Sequence, residues 1–256
     1  MDFFQLSTPA LVLFLIATVG GSVAVGIFVG RAMRGRPTTT HEPVGVVQGT
    51  LLGLVGLLLA FGLSMAVGRY DARRALVVQE ANDIGTTYLR AQLLDEPERG
   101  QSLELLTEYA DAAIALAGVV PDTAVYREHV AEIEGLQAEL WALAGDAVEA
   151  DPEGTVPRLY IEVLNDMIDT HSSRVASLGN RVPTPVLLIL VFGCATALGA
   201  LSLFLTLLGR SVTTSLITAV VLMVILFVSF DLDRPQRGFI KVPDTPLVQV
   251  RESMTD

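Results

Sequence analysis

The chain has 256 residues, of which 51% are hydrophobic and only 18% charged, and its formal net charge is −11. A mean hydropathy of +0.54 is well above that of a soluble domain of this length, so the composition is that of a membrane protein. The acidity argues against nucleic acid as a partner, since that binding needs basic surface, and the single cysteine, Cys194, excludes an intrachain disulfide.

The apolar excess is concentrated in four blocks, residues 9–30, 44–68, 186–209 and 212–230, and none of them contains Asp, Glu, Lys, Arg or His. Each supplies about the 20 apolar residues needed to cross a hydrocarbon core about 30 Å thick. The expected fold is all-α. It is an integral membrane protein with four transmembrane helices and an antiparallel aqueous helical bundle inserted between spans 2 and 3. Residues 1–68 hold spans 1 and 2, and residues 69–182 form the bundle, whose first helix continues span 2. Residues 183–230 form a hairpin of spans 3 and 4, and residues 231–256 an extended C-terminal tail, a candidate to dock along the bundle.

In chain order, the first block has no basic residue before it and is long for a signal sequence, so it reads as a retained helix. Gly26 and Gly30 in it are four apart, a spacing that lets another backbone approach closely in lipid. A compact loop follows, with Arg31, Arg34 and Arg36, and with Pro37 and Pro43 to interrupt any helix.

Residues 48–95 contain no Pro and no turn dipeptide, and they read as one helix that leaves the membrane near Arg69. At about 1.5 Å per residue it is roughly 70 Å long. Its apolar half carries Gly49 and Gly53, then Gly56, Ala60, Ser64 and Gly68 at every fourth position. Such a face suits a buried packing surface, and it equally suits the wall of a narrow pore. Its polar half has two stripes. Tyr70, Arg74, Val77, Ala81, Ile84 and Tyr88 suit a neighbouring helix. Arg69, Arg73, Glu80, Asp83, Thr87 and Arg90 form either a solvated charged face or, with Asp71 and Arg74, an interlocked charged collar at the membrane exit.

Three more helices complete the bundle. Residues 98–118 carry Leu103, Leu106, Ala110, Ala113 and Ala117 on one side. After Pro121, Asp122 or Thr123 caps a helix to about Ala150, with Val130, Ile133, Leu136, Leu140, Leu143 and Ala147 in its seam and Trp141 beside them. Asp151-Pro152-Glu153 has the chemistry of a helix start, and the last helix runs to about Leu178. His171 lies on that helix with Asn165, Asp169 and Arg174, a structural or sensing group. His129 has Glu128 and Glu132 beside it, and a solvated helix face is favoured over a metal pair because no further ligand motif completes a site. No metal, no cofactor and no catalytic constellation is expected. There is no HExxH, P-loop, GxSxG or dinucleotide glycine pattern, so the sequence does not read as an enzyme.

Charge does not settle the topology. Residues 69–182 hold 9 Arg against 21 Asp and Glu, a net of −12, while the remainder of the chain is near neutral. The arginines after span 1 put that loop in the cytoplasm by the positive-inside rule, yet more basic residues flank the spans on the bundle side.

At RYDARR (69–74) and EANDIGTTYLRA (80–91) the sequence resembles a mostly bacterial family of four-span membrane proteins described as bestrophin-like. The resemblance continues in LNDMIDTHSSRVASLGNRVP (164–183) and DLDRPQRGFIKV (231–242), and it covers most of the chain. It implies a bestrophin arrangement: a homo-oligomer, a pentamer by resemblance, in a bacterial plasma membrane. The aqueous bundle is then cytoplasmic and subunits surround a pore for small anions. By the same resemblance span 2 lines the narrow neck, with Gly53, Gly56, Ala60 and Ser64 as wall positions. Arg69, Asp71, Arg73, Arg74, Glu80, Asp83 and Arg90 then lie at the pore mouth. The alternative is a non-conducting scaffold or sensor whose acidic bundle binds a partner or ligand, a reading that suits spans without charge.

Overall fold

The structure is a computed structural model that describes residues 3, 4, 6–33, 41–210 and 213–254, without the side chains of residues 41–44. Arg34, Arg36 and Pro37 of the first loop and Ser211 lie outside the described residues. The described chain is built from α1 (Thr8–Met33), α2 (His41–Ala91), α3 (Glu98–Ala117), α4 (Ala124–Ala150), α5 (Thr155–Gly179), α6 (Thr184–Leu207), α7 (Thr213–Leu232) and α8 (Thr245–Ser253). α1, α2, α6 and α7 contain the stretches long and apolar enough to cross a membrane. The chain divides into two compact units, Met1–Arg69 with Arg181–Ile240, and Tyr70–Asn180 with Lys241–Asp256.

The first unit is the membrane part. α6 packs against both α1 and α7. The Gly26–Gly30 pair meets α6: a Cβ on Gly26 would overlap the Gly199 carbonyl oxygen, and one on Gly30 would lie 2.7 Å from Thr206 Cβ. Only glycine lets these backbones come so close, and in lipid that contact replaces the hydrophobic drive that water would supply. Leu11 and Leu15 of α1, Val55 and Leu59 of α2, Leu190 and Cys194 of α6, and Leu226 and Phe230 of α7 share one core. α6 ends in a left-handed turn at Gly209 (φ +68°). The Arg210 amide donates to Leu205 O at 3.0 Å and the Gly209 amide to Thr206 O at 3.1 Å. This is the paired closure that glycine after a helix end allows.

The second unit is the aqueous bundle. Tyr109, Tyr160, Ile84, Leu106, Leu116, Ile133, Leu140 and Leu164 are fully buried in it. Burying each such side chain contributes on the order of 1.5–3 kcal/mol before its ordering cost. Thr123 caps α4 by accepting the Tyr126 amide at 3.1 Å.

Several expectations are corrected. The long helix starts at His41 and stops at Ala91, before Asp95; Pro97 stands as the N-cap of α3. The last bundle helix begins at Thr155, not at Asp151-Pro152-Glu153. Asp151 is the C-cap of α4, and its carbonyl accepts the Gly154 amide at 3.0 Å to close a turn. Pro157 then sits in the first turn of α5, where no amide is needed. The α4 seam is Tyr126, Ile133, Gln137, Leu140, Ala144 and Ala147, with Leu136 and Leu143 at its edge. Trp141 is 44% exposed and faces away from the core. The tail is not wholly extended: it carries α8, whose Leu247 is buried in the bundle core. Tyr88 Oη donates to Met254 O at 2.9 Å, and Arg251 makes a bidentate pair with Asp111 at 2.8 and 3.1 Å.

Candidate functional site

α2 sets the geometry. Val55, Leu59, Gly62, Ala66, Arg73, Val77, Glu80, Ile84, Thr87 and Ala91 are all buried. They recur at steps of three and four, with one step of seven, so they form one stripe along one helix. Gly53, Gly56, Ala60 and Ser64 lie off that stripe and are all exposed. A Cβ added to Gly49, Gly53 or Gly56 would meet nothing within 4 Å. The chain's own helices therefore do not use this small face for packing; they use Gly62, whose Cβ would lie 2.7 Å from Leu190 Cδ1. Beside the small face, Leu54, Leu57 and Phe61 are more than half exposed, a second and bulkier apolar surface.

The collar residues do not share a face. Asp71 and Arg74 are exposed, and Arg69, Asp83 and Arg90 are half-buried. Arg90 Nη1 donates to Leu159 O at 2.7 Å, and Asp83 Oδ1 accepts from Gln79 Nε2 at 2.8 Å. Arg73 and Glu80 are buried, so the solvated charged face expected here is partly interior. Arg74 and Tyr70, expected in the seam, are outside it. By helical register only Asp71 and Arg74 continue the face of Gly53, Gly56, Ala60 and Ser64, because the buried stripe places Arg73 and Glu80 on the other side.

Inside the bundle, Glu80 joins α2 to α5. His171 Nδ1 lies 2.8 Å from Glu80 Oε1, and Arg174 Nε makes an ion pair with Glu80 Oε2. All three groups are buried. A carboxylate paired with a guanidinium only accepts, which puts the His171 proton on Nδ1. The imidazole meets the Tyr109 ring of α3 edge-on at 6.1 Å. Tyr109 Oη in turn accepts from Gln137 Nε2 of α4 at 3.4 Å. Burial pushes the Tyr109 phenol far above its usual range, and the Glu80 charge adds to the shift. Thr87 Oγ1, one turn before the end of α2, contacts Asp83 O at 2.7 Å and Val163 O at 3.3 Å. Asn165 and Asp169, grouped with His171 by sequence, lie instead on the exposed face of α5, where Asn165 Nδ2 donates to Asp169 Oδ2 at 3.2 Å.

A second polar cluster lies at the end of α7, in the membrane unit, and sequence reasoning missed it. Asp231, Asp233 and Arg234 are buried. Asp231 accepts the amides of Phe239 and Ile240 at 3.0 and 2.8 Å. Asp233 takes the Val182 amide on both oxygens at 2.9 Å. Arg234 Nη2 donates to the Leu6 carbonyl, and Thr8 Oγ1 donates to Arg237 O at 3.1 Å. Burial lowers the Arg234 guanidinium's affinity for its proton, and Asp231 opposes that shift. The Arg181 guanidinium stacks 3.4 Å over the Phe4 ring. The cluster fastens the residues before α1, the entry to α6 and the turn after α7 to one another. Its signal in sequence was two acids directly after an apolar span, which reads as solvated boundary unless their partners are known.

Among the described residues no group of three or more His, Cys, Asp or Glu is placed to hold a metal ion. His129 pairs with Glu132 alone, at 3.2 Å.

Residues 12–247 match the family described as bestrophin-like domain. Among solved structures, a single-residue variant of the bacterial bestrophin homolog from Klebsiella pneumoniae aligns with a TM-score of 0.69 at 15% identity, over 94% of this chain and 98% of that one. Another structure of that homolog, solved by zinc phasing, aligns with a TM-score of 0.68 at 15% identity, over 94% and 97%. A structure described as a membrane protein aligns at 0.65 and 16% identity, over 94% and 97%. At such identities the likeness is one of fold. No curated protein matches the chain. The family match spans nearly the whole sequence, from the first membrane helix to the docked C-terminal helix, and the chain belongs to the bestrophin-like family.

Proposed function

We propose that this chain is one subunit of an oligomeric membrane channel for small anions. In that assembly the small face of α2, at Gly53, Gly56, Ala60 and Ser64, lines the path, and Asp71 and Arg74 stand at its mouth. The observation that carries the reading is the exposure of that small face on a span whose opposite side is packed. Small side chains leave room for an ion and leave carbonyl dipoles within reach. Arg74 supplies the positive potential that favours anions and Asp71 opposes it, so the pair tunes the sign of selectivity. Family membership supports a ring of copies, five in the bestrophin arrangement, in a bacterial plasma membrane with the bundle on the cytoplasmic side. The residues that an open path leaves to the interior, Arg73, Glu80, His171 and Arg174, are positioning residues for α2 on this reading.

The test is Gly56→Leu, with Ala60→Leu as its companion, in purified full-length protein. Native mass should show the same closed oligomer for wild type and variants, and chloride flux into liposomes should fall sharply in the variants. Unchanged flux with unchanged assembly sinks the pore assignment. A monomer or dimer sinks the channel itself, because four uncharged spans do not enclose a water-filled path.

A further inference from the structure

A groove runs along the outside of the aqueous bundle between α3 and α4. It is made of two adjoining cavities of about 570 and 390 Å³ that share Glu108 and Glu139. Its floor is apolar, with Leu105, Leu136 and Leu143 half-buried in it. Its rims are acidic: Glu104, Glu108 and Asp111 on the α3 side, Glu132 and Glu139 on the α4 side, with no Lys or Arg among the lining residues.

Two features point to an occupant. Gly135 sits in the interior of α4, exposed on the α4 wall of the groove, and a Cβ there would meet nothing within 4 Å. Glycine costs a helix interior stability relative to alanine, and the chain's own packing gains nothing from it. A backbone lying in the groove does gain, because it approaches more closely. Secondly, the rim already receives a basic side chain: Arg251 of α8 forks onto Asp111 at 2.8 and 3.1 Å. The same groove on a second copy is a poor occupant, because its lining offers five acids and no Lys or Arg to the rims.

We propose that the α3–α4 groove is a docking site for a basic amphipathic helix of a partner protein. Its apolar stripe lies on the leucine floor and its Lys and Arg side chains reach the two acidic rims. From Gln101 to Ala115 the groove accommodates about four helical turns, roughly 21 Å. The mode is helix-in-groove recognition, with charge setting which helices are accepted. It is independent of whether the chain conducts ions.

The experiment uses the full-length protein in nanodiscs of zwitterionic lipid. The probe is a labelled synthetic helix of about four turns, with a Leu/Ala stripe flanked by Lys and Arg, and empty nanodiscs are subtracted. Binding by fluorescence anisotropy should weaken as salt is raised. The double variant Glu108→Gln with Glu139→Gln should lose about fivefold to tenfold in affinity. Gly135→Leu, which adds bulk to the α4 wall of the groove and leaves every charge in place, should lose at least as much. The control pair Glu162→Gln with Asp166→Gln, exposed on α5 outside the groove, should leave affinity unchanged. Equal losses from both acid pairs mean diffuse attraction to an acidic surface and overturn the proposal. So does full binding by Gly135→Leu, or no binding by wild type. A change of oligomer size on Glu108→Gln with Glu139→Gln assigns the groove to contacts between copies and overturns it as well.

Discussion

Glu80 is the residue on which the bundle's interior electrostatics turn. It is fully buried and faces two basic groups at once, His171 and Arg174. Glu80→Gln keeps the shape and leaves Arg174 as an uncompensated interior charge. Removing one partner of a buried pair typically costs about 3–5 kcal/mol. The full-length variant should therefore melt well below wild type, and Glu80→Leu with Arg174→Leu should recover much of the loss. Equal melting temperatures for wild type and Glu80→Gln would remove the pair from any stabilising role. The sequence made His171 and Arg174 legible as neighbours on one helix, but it set Glu80 on a charged outer face. The reason is physical. Periodicity locates a seam by contrast, and in the membrane half of α2 every face is apolar, so the phase of the stripe is invisible there. Only the packing of Val55, Leu59, Gly62 and Ala66 shows that the same phase carries Arg73 and Glu80 inward. Asp231 and Asp233 were illegible for a different reason: their partners are backbone amides, which leave no mark in a sequence.

At the scale of elements, small residues were the most readable feature, but only half of their meaning was. Gly26 and Gly30 pack as their spacing implies, and the structure adds that α6 is the partner. Gly20 and Gly21, in the same helix, have nothing within 4 Å of a Cβ. Gly26→Leu should thus destabilise the membrane unit, seen as a lower melting temperature and poorer recovery in detergent. Gly20→Leu should be neutral or slightly stabilising, since leucine is the better helix former. Equal behaviour of the two would mean that α1 and α6 are not held by this contact. Helix ends were read less well. Pro152 and Glu153 have the chemistry of a start, yet Asp151 belongs to the end of α4 and Gly154 opens α5 without a side-chain cap. α8 was hidden by Pro243 and Pro246, although Pro246 falls in its first turn, where proline is tolerated.

For the whole molecule, the sequence conveyed the fold class because its evidence is bulk composition: four uncharged apolar blocks around an acidic insert. What it did not convey is which side of the membrane the insert occupies, since the arginines point both ways. With the bundle cytoplasmic, the loop between α1 and α2 is external. Thr39→Cys should then react with an impermeant maleimide on intact cells, and Gly145→Cys in α4 only after permeabilisation. The sole native thiol, Cys194, is buried and gives little background. The reverse pattern would place the acidic bundle outside the cell.

The straight buried stripe of α2 also limits how this chain can change in length. Nine steps carry the stripe across the 36 residues from Val55 to Ala91, and the seven-residue step spans two turns, so the stripe makes ten turns of 3.6 residues and runs parallel to the helix axis. Inserting one residue in the membrane half of α2 would turn everything beyond it by about 100° and bring Ala72, in place of Arg73, towards the interior. Seven inserted residues would turn it by only about 20° and leave both faces in place. Insertions and deletions within α2 should therefore be tolerated in heptad-sized steps, whereas its connecting loops are free to vary one residue at a time.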